Sequence, residues 1–97
     1  MNTKQWSSVV FGWVLRLSDE LRPVHLKSPE EVLEYNTKAL DEIQREFPEG
    51  VSFASRQDYL GQACIVGPEE MCLALKRNLE VSGKAAMVKN VPVARAI

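Results

Sequence analysis

The chain has 97 residues, of which 45% are hydrophobic and 26% are charged, and its formal net charge at pH 7 is −1. This length supports one hydrophobic core, so we expect a single domain over residues 1–97. The composition argues against disordered and fibrous classes. The charge argues against nucleic-acid binding, because three spread basic residues near the C-terminus (Lys84, Lys89 and Arg95) are too few for a phosphate-binding surface.

The two cysteines, Cys64 and Cys72, have neither the number of a disulfide framework nor the spacing of a metal or redox motif. Free cysteines are usually buried as small hydrophobic residues, which fits a reducing, cytoplasmic location. The apolar run over residues 9–15 is too short to cross a bilayer. Arg16 interrupts it and no small-residue cleavage site follows, so a signal peptide is not expected either.

The N-terminal segment predicts a helix over residues 4–21, with Asn2 or Thr3 as its N-cap. Pro23 ends this helix, and a short extended segment follows at residues 24–26. At about 100° per residue, one broad apolar arc is available to dock the helix on a core. The arc consists of Trp6, Val9, Val10, Trp13, Val14, Leu17 and Leu21.

A second set of residues lies opposite this arc, which makes the predicted helix apolar on both sides. Small residues four positions apart allow another backbone to come close, and larger apolar residues at the same spacing pack around the contact. We predict a protein-interaction site formed by Ser8, Phe11, Gly12 and Leu15. Three interpretations stay open: cover by the chain's own tail or hairpin, homodimerisation, or docking onto a different protein.

The clearest helix begins after Ser28, which is the predicted N-cap, with Pro29 at the first helical position and Glu31 completing a capping box. Apolar residues recur at helical spacing up to Phe47, and Pro48 ends the helix. A further helix begins at Pro68, carries its core stripe on Met71, Leu75 and Leu79, and ends at Gly83.

Residues 51–66 are ambiguous between a hairpin and a helix, and the β-branched residues near their end favour the hairpin. The C-terminal tail is apolar, and Pro92 restricts any strand there to a sheet edge or bulge. The fold class predicted is therefore α+β, with three helices on a small, mainly antiparallel sheet. After the first helix the order β-α-β-β-α-β is that of ferredoxin-like domains; an all-α bundle is the alternative.

A search for chemistry gives no catalytic residue, cofactor or metal site to predict. His25 is the single histidine, and with the two cysteines it does not make a zinc pattern. There is no glycine-rich phosphate loop. Asn36 and Asn78 fall inside apolar arcs, where a buried amide usually finds a hydrogen-bond partner within the core or at an interface edge.

The leading functional hypothesis is a small, non-enzymatic protein-binding regulator that forms a homodimer. Such a protein acts as an adaptor or antagonist by covering a surface of a larger protein, for example a transcription regulator. The alternative is a small-molecule-binding domain or small enzyme with a pocket between sheet and helices, or at the dimer interface. Its candidate polar groups are His25, Asn36, Tyr59 and Asn78.

Overall fold

The computed structural model describes residues 11–89. Within this range, four strands and two α-helices follow one another in the order β-α-β-β-α-β. The strands are β1 (Phe11–Leu17), β2 (Ser52–Gln57), β3 (Gln62–Gly67) and β4 (Ala85–Lys89). The helices are α1 (Pro29–Gln44) and α2 (Glu69–Ser82), and short 3-10 turns lie at Asp19–Leu21 and Asp58–Leu60. The chain is α+β, and the all-α alternative is wrong.

The four strands form one antiparallel sheet in the order β2-β3-β1-β4. β1 lies in the middle, where Leu15 is opposite Ala63 of β3 and Met87 of β4. A register shift between Phe53 and Ser55 marks a bulge in β2. The described sheet therefore has two edges, β2 and β4.

Both helices cover the same face of the sheet, and the core lies between the two layers. Alternate residues of the central strands point into it, as the period of two requires. Within the described range, the buried apolar residues are Trp13, Leu15, Leu40, Ile43, Val51, Ala63, Ile65, Cys72, Leu75, Leu79, Ala85 and Met87. Both helices and strands β1, β3 and β4 contribute buried residues to the core, and β2 contributes the partly buried Phe53.

The predicted N-terminal helix is wrong over the part that is described, because residues 11–17 form β1. Residues 1–10 of that prediction lie outside the described range. The segment is a central strand, with β3 and β4 paired along its two edges; one of its faces enters the core, and the other belongs to the opposite face of the sheet. Valine and the aromatic residues favour strands, and a short apolar run does not distinguish strand from buried helix.

Two further predictions need correction. The expected extended segment at residues 24–26 is a turn and irregular loop, not a strand. The core stripe of α2 begins at Cys72, which is fully buried, whereas Met71 is exposed. As a result the described residues contain two α-helices, not the three expected, and β1 takes the first-strand position that residues 24–26 were expected to fill.

The predicted helix that begins after Ser28, which is α1, and the predicted hairpin are both confirmed. Ser28 accepts a hydrogen bond from the Glu31 amide, and the Glu31 carboxylate accepts one from the Ser28 amide. The helix ends at Gln44, somewhat before Pro48. Residues 52–67 form the hairpin β2–β3 around the 3-10 turn, which Gly61 closes with φ of +67°, a conformation that favours glycine. α2 ends at Gly83 as expected.

Between residues 11 and 89, no helix is both long and apolar enough to cross a membrane.

Candidate functional site

The sheet face opposite the helices is not covered by any described element, and we call it the open face. Its residues follow from the strand registers, which place Gly12 beside Val66, Val14 beside Cys64 and Val88, and Arg16 beside Gln62 and Ala86. The open face consists of Gly12, Val14, Arg16, Ser52, Ser55, Gln57, Gln62, Cys64, Val66, Ala86 and Val88. It spans all four strands.

The open face carries very little charge. Arg16 is its single charged residue, although 26% of the chain is charged. The centre is apolar, because Val14, Cys64 and Val66 lie on the two inner strands and Val88 is 66% exposed on the edge strand. Depletion of charge around an apolar centre is typical of the core of a protein–protein interface.

A depression of about 150 Å³ lies on the open face. It is lined by Val14, Cys64 and polar residues that include Gln57 and Gln62.

Both edges of the sheet are partly blocked against pairing with another strand. On β4 the carboxylate of Glu80 accepts a hydrogen bond from the Met87 amide at 3.3 Å, so this edge donor is occupied. On β2 the bulge between Phe53 and Ser55 breaks the regular ladder. Bulges and charged side chains at edges are devices that discourage edge-to-edge association.

The predicted interaction site is not assembled in this fold. Leu15 is fully buried under the helices, while Gly12 alternates onto the open face. Phe11 begins β1 opposite Gly67, and Ser8 lies outside the described residues. Because a strand sends successive side chains to opposite faces, positions grouped by helical spacing are separated. Among the described residues of the predicted set, Gly12 is the one that lies on the open face.

The polar residues considered for a ligand site are also dispersed. Asn36 is buried and donates from Nδ2 to the Asp58 carbonyl at 2.8 Å, so the prediction of a satisfied core amide is confirmed. Asn78 is exposed, which makes its assignment to an apolar arc wrong. His25 is exposed in the loop before α1, and Tyr59 is 65% exposed in the hairpin turn. They do not converge on one pocket.

The strongest electrostatic cluster supports the fold. The guanidinium of Arg56 donates to both carboxylate oxygens of Asp58 (2.9 and 2.7 Å) and to Asp41 (2.8 Å). These hydrogen bonds lower the pKa of Asp58, although its partial burial acts in the opposite direction. Burial raises the pKa of the Cys72 thiol, which keeps it protonated and unreactive.

A separate cavity of about 150 Å³ lies between α1 and the end of β1, and we call it the end cavity. Leu17, Ala39 and Ile43 form its inner wall, and Leu21 and Tyr35 form its outer wall. Its lining does not include the candidate ligand-binding residues His25, Asn36, Tyr59 and Asn78.

Apart from Gly12, the residues of the open face were not identified from the sequence, because pairing between distant strands decides which side chains share a face. The alternation in Gln62, Cys64 and Val66 was the available local signal.

Among residues 11–89, no group of three or more histidine, cysteine or acidic residues is placed to hold a metal ion. Comparisons with family models, with curated proteins and with solved structures give no match.

Proposed function

We propose that this chain is a small, non-enzymatic protein-binding regulator, an adaptor or antagonist, whose contact surface is the open face and whose first partner is a second copy of itself. One observation carries the proposal: a whole sheet face with an apolar centre and a single charge, Arg16, is covered by none of the described elements. An exposed apolar surface of this extent marks an interaction site.

We further propose a ferredoxin-like arrangement for the fold. The order β-α-β-β-α-β and the antiparallel sheet order β2-β3-β1-β4 support it. In such a two-layer domain one sheet face is left for solvent or for a partner.

A second copy suits the open face because the face has little charge with which to repel an identical face. In a two-fold dimer the same patch is used on both subunits, so a strongly charged patch would repel its copy. An axis through Val14 and Cys64 places the two copies of Arg16 on opposite sides of the centre. Two residues of strand span about 7 Å, so the backbone positions of the two Arg16 residues are roughly 13 Å apart, more than the screening length of about 8 Å in physiological salt.

The size of the open face predicts a weak dimer. Four strands at a spacing of about 4.8 Å and five to seven residues per strand cover roughly 400 Å² in projection. Two such faces bury on the order of 1,000 Å² in total, at the low end for specific complexes. We therefore expect a dissociation constant in the micromolar range, on the order of 10 μM.

The test compares two exposed valines that differ in position. Val88 is 66% exposed on the open face, and Val81 is 82% exposed on α2. With light scattering from about 5 to 500 μM, a range set by that expected affinity, the wild-type mass should rise from 10.9 kDa toward twice that value. Val88→Glu should keep the protein monomeric, because it places two carboxylates in the interface.

Val81→Glu is the matched control and should dimerise like the wild type. Circular dichroism of both variants checks that the fold is retained, which the exposure of both side chains leads us to expect. A wild-type protein that stays monomeric throughout the range, or two variants that weaken association equally, would contradict the proposal.

A further inference from the structure

We propose that the end cavity binds a small primary amine, with an apolar ring inside the cavity and the ammonium group at its mouth beside Glu42. The cavity lies on the helix side of the sheet, away from the open face, so this inference is independent of the dimer.

The cavity is held open by the loop that follows β1. Ser18 caps the 3-10 turn Asp19–Leu21 by accepting a hydrogen bond from the Glu20 amide at 3.2 Å. The Tyr35 hydroxyl then donates to the Leu21 carbonyl at 3.0 Å, which fixes the turn against α1. Because the small side chain of Ala39 lies beneath this turn, the space between turn and helix is not filled.

The walls of the end cavity suit an apolar group. Leu17, Leu21, Ala39 and Ile43 supply apolar surface, and Ile43 belongs to the buried core. A volume of about 150 Å³ is of the size that accommodates a benzene ring in an apolar protein cavity. The interior therefore fits a six-membered ring with a short arm.

The charges at the mouth favour a cation over an anion. Lys84 lines the mouth, but its ammonium is paired with the Glu46 carboxylate at 2.6 Å. Glu42 also lines the mouth, and its carboxylate makes no hydrogen bond or ion pair with the other described residues, while its charge acts on Lys84 from a longer distance. Two carboxylates against one ammonium leave the mouth with net negative charge, and Glu42 has capacity to accept hydrogen bonds.

Benzylamine is the probe, and benzyl alcohol is its neutral counterpart of nearly the same shape. In titrations of the ¹⁵N-labelled full chain followed by NMR, benzylamine should shift the amide signals of Leu17, Leu21 and Ala39 in a saturable manner. It should bind about threefold more tightly than benzyl alcohol, the advantage that an exposed ion pair supplies. Glu42→Gln should abolish this advantage without weakening benzyl alcohol binding.

Glu30→Gln, in the exposed first turn of the same helix, is the matched control and should leave the preference for the amine unchanged. Ala39→Val, which narrows the cavity by two methyl groups, should weaken both ligands. The absence of saturable shifts at about 20 mM benzylamine would overturn the site. Equal binding of the amine and the alcohol by the wild type would overturn the ligand class.

Discussion

The buried amide of Asn36 and the guanidinium of Arg56 connect α1 to the β2–β3 hairpin. Asn36 donates to the Asp58 carbonyl, and the Asp58 carboxylate receives two hydrogen bonds from Arg56. The same guanidinium reaches Asp41 on the helix and lies 5.1 Å from the Phe53 ring centroid. The Asn36 Nδ2 group, the Arg56 guanidinium and the Asp58 carboxylate each have a hydrogen-bond partner, so the cluster holds the hairpin against α1.

The Arg56–Asp58 pair predicts a pH-dependent part of the stability. Since the hydrogen bonds from Arg56 lower the pKa of Asp58 in the folded state, the unfolded state binds its proton more readily. The contribution is therefore complete above the unfolded pKa of about 3.9 and is lost as the pH falls through the lower folded pKa. Asp58→Asn should reduce the free energy of unfolding by about 1–2 kcal/mol at pH 7.

Urea unfolding at pH 7, 5 and 3 measures this effect, and the difference between wild type and Asp58→Asn should shrink at pH 3. Asp19→Asn is the control, because the Asp19 side chain is 81% exposed and lies 3.8 Å from Arg22. It should change stability little at any pH. A difference for Asp58→Asn that is the same at pH 3 and pH 7 would show that the carboxylate charge does not matter.

At the scale of elements, the sequence identified those whose signals are local. The capping box of Ser28 and Glu31 marks the start of α1, and Gly83 marks the end of α2. The hairpin was recognisable from its β-branched residues. β1 was not, because its strand character depends on pairing with β3 and β4, which are about 50 and 70 residues distant along the chain.

The same reason limits how much of the open face was predictable. Gly12 was identified as a contact residue, but Leu15 was assigned to the same surface although it is fully buried. Helical spacing places these positions side by side, whereas strand alternation separates them. Val14, Cys64 and Val88 become neighbours through the registers of β1 with β3 and β4, and no local pattern encodes those registers.

Two glycines in paired strands test the strand assignment of β1. A methyl group at Gly67 would lie 2.9 Å from Val51 Cγ2 and 3.0 Å from the Gly50 carbonyl oxygen, whereas one at Gly12 meets nothing within 4 Å. Gly67→Ala should therefore destabilise by about 1–3 kcal/mol. Gly12→Ala should be neutral or stabilise by up to about 1 kcal/mol, because alanine loses less conformational freedom than glycine.

Chemical denaturation of dilute protein, below the dissociation constant expected for the proposed dimer, measures both effects on the monomer. Each glycine serves as the control for the other, since both lie in the sheet and receive the same substitution. Equal losses in the two variants would contradict the placement of Gly12 on the uncovered side of β1.

At the scale of the whole molecule, the proposed dimer uses one surface, the open face, whereas the strand edges offer a different kind of contact. A two-fold contact on the open face closes after two copies, because each copy uses the same patch. An unpaired strand edge allows a second, different contact, and two contacts per molecule produce open chains. In the proposed dimer, the hydrogen bond from the Met87 amide to Glu80 would therefore limit the size of the assembly.

This role of Glu80 gives the last prediction. Glu80→Ala exposes the Met87 amide on the β4 edge, so light scattering should show species larger than a dimer at concentrations where the wild type is dimeric. Glu70→Ala, in the exposed first turn of the same helix, should remain dimeric.

Combining Glu80→Ala with Val88→Glu removes the open-face contact and should leave edge-paired dimers at most. If Glu80→Ala gives the wild-type mass at every concentration, the β4 edge is protected by something other than this carboxylate, and closure by the open face alone explains the assembly size.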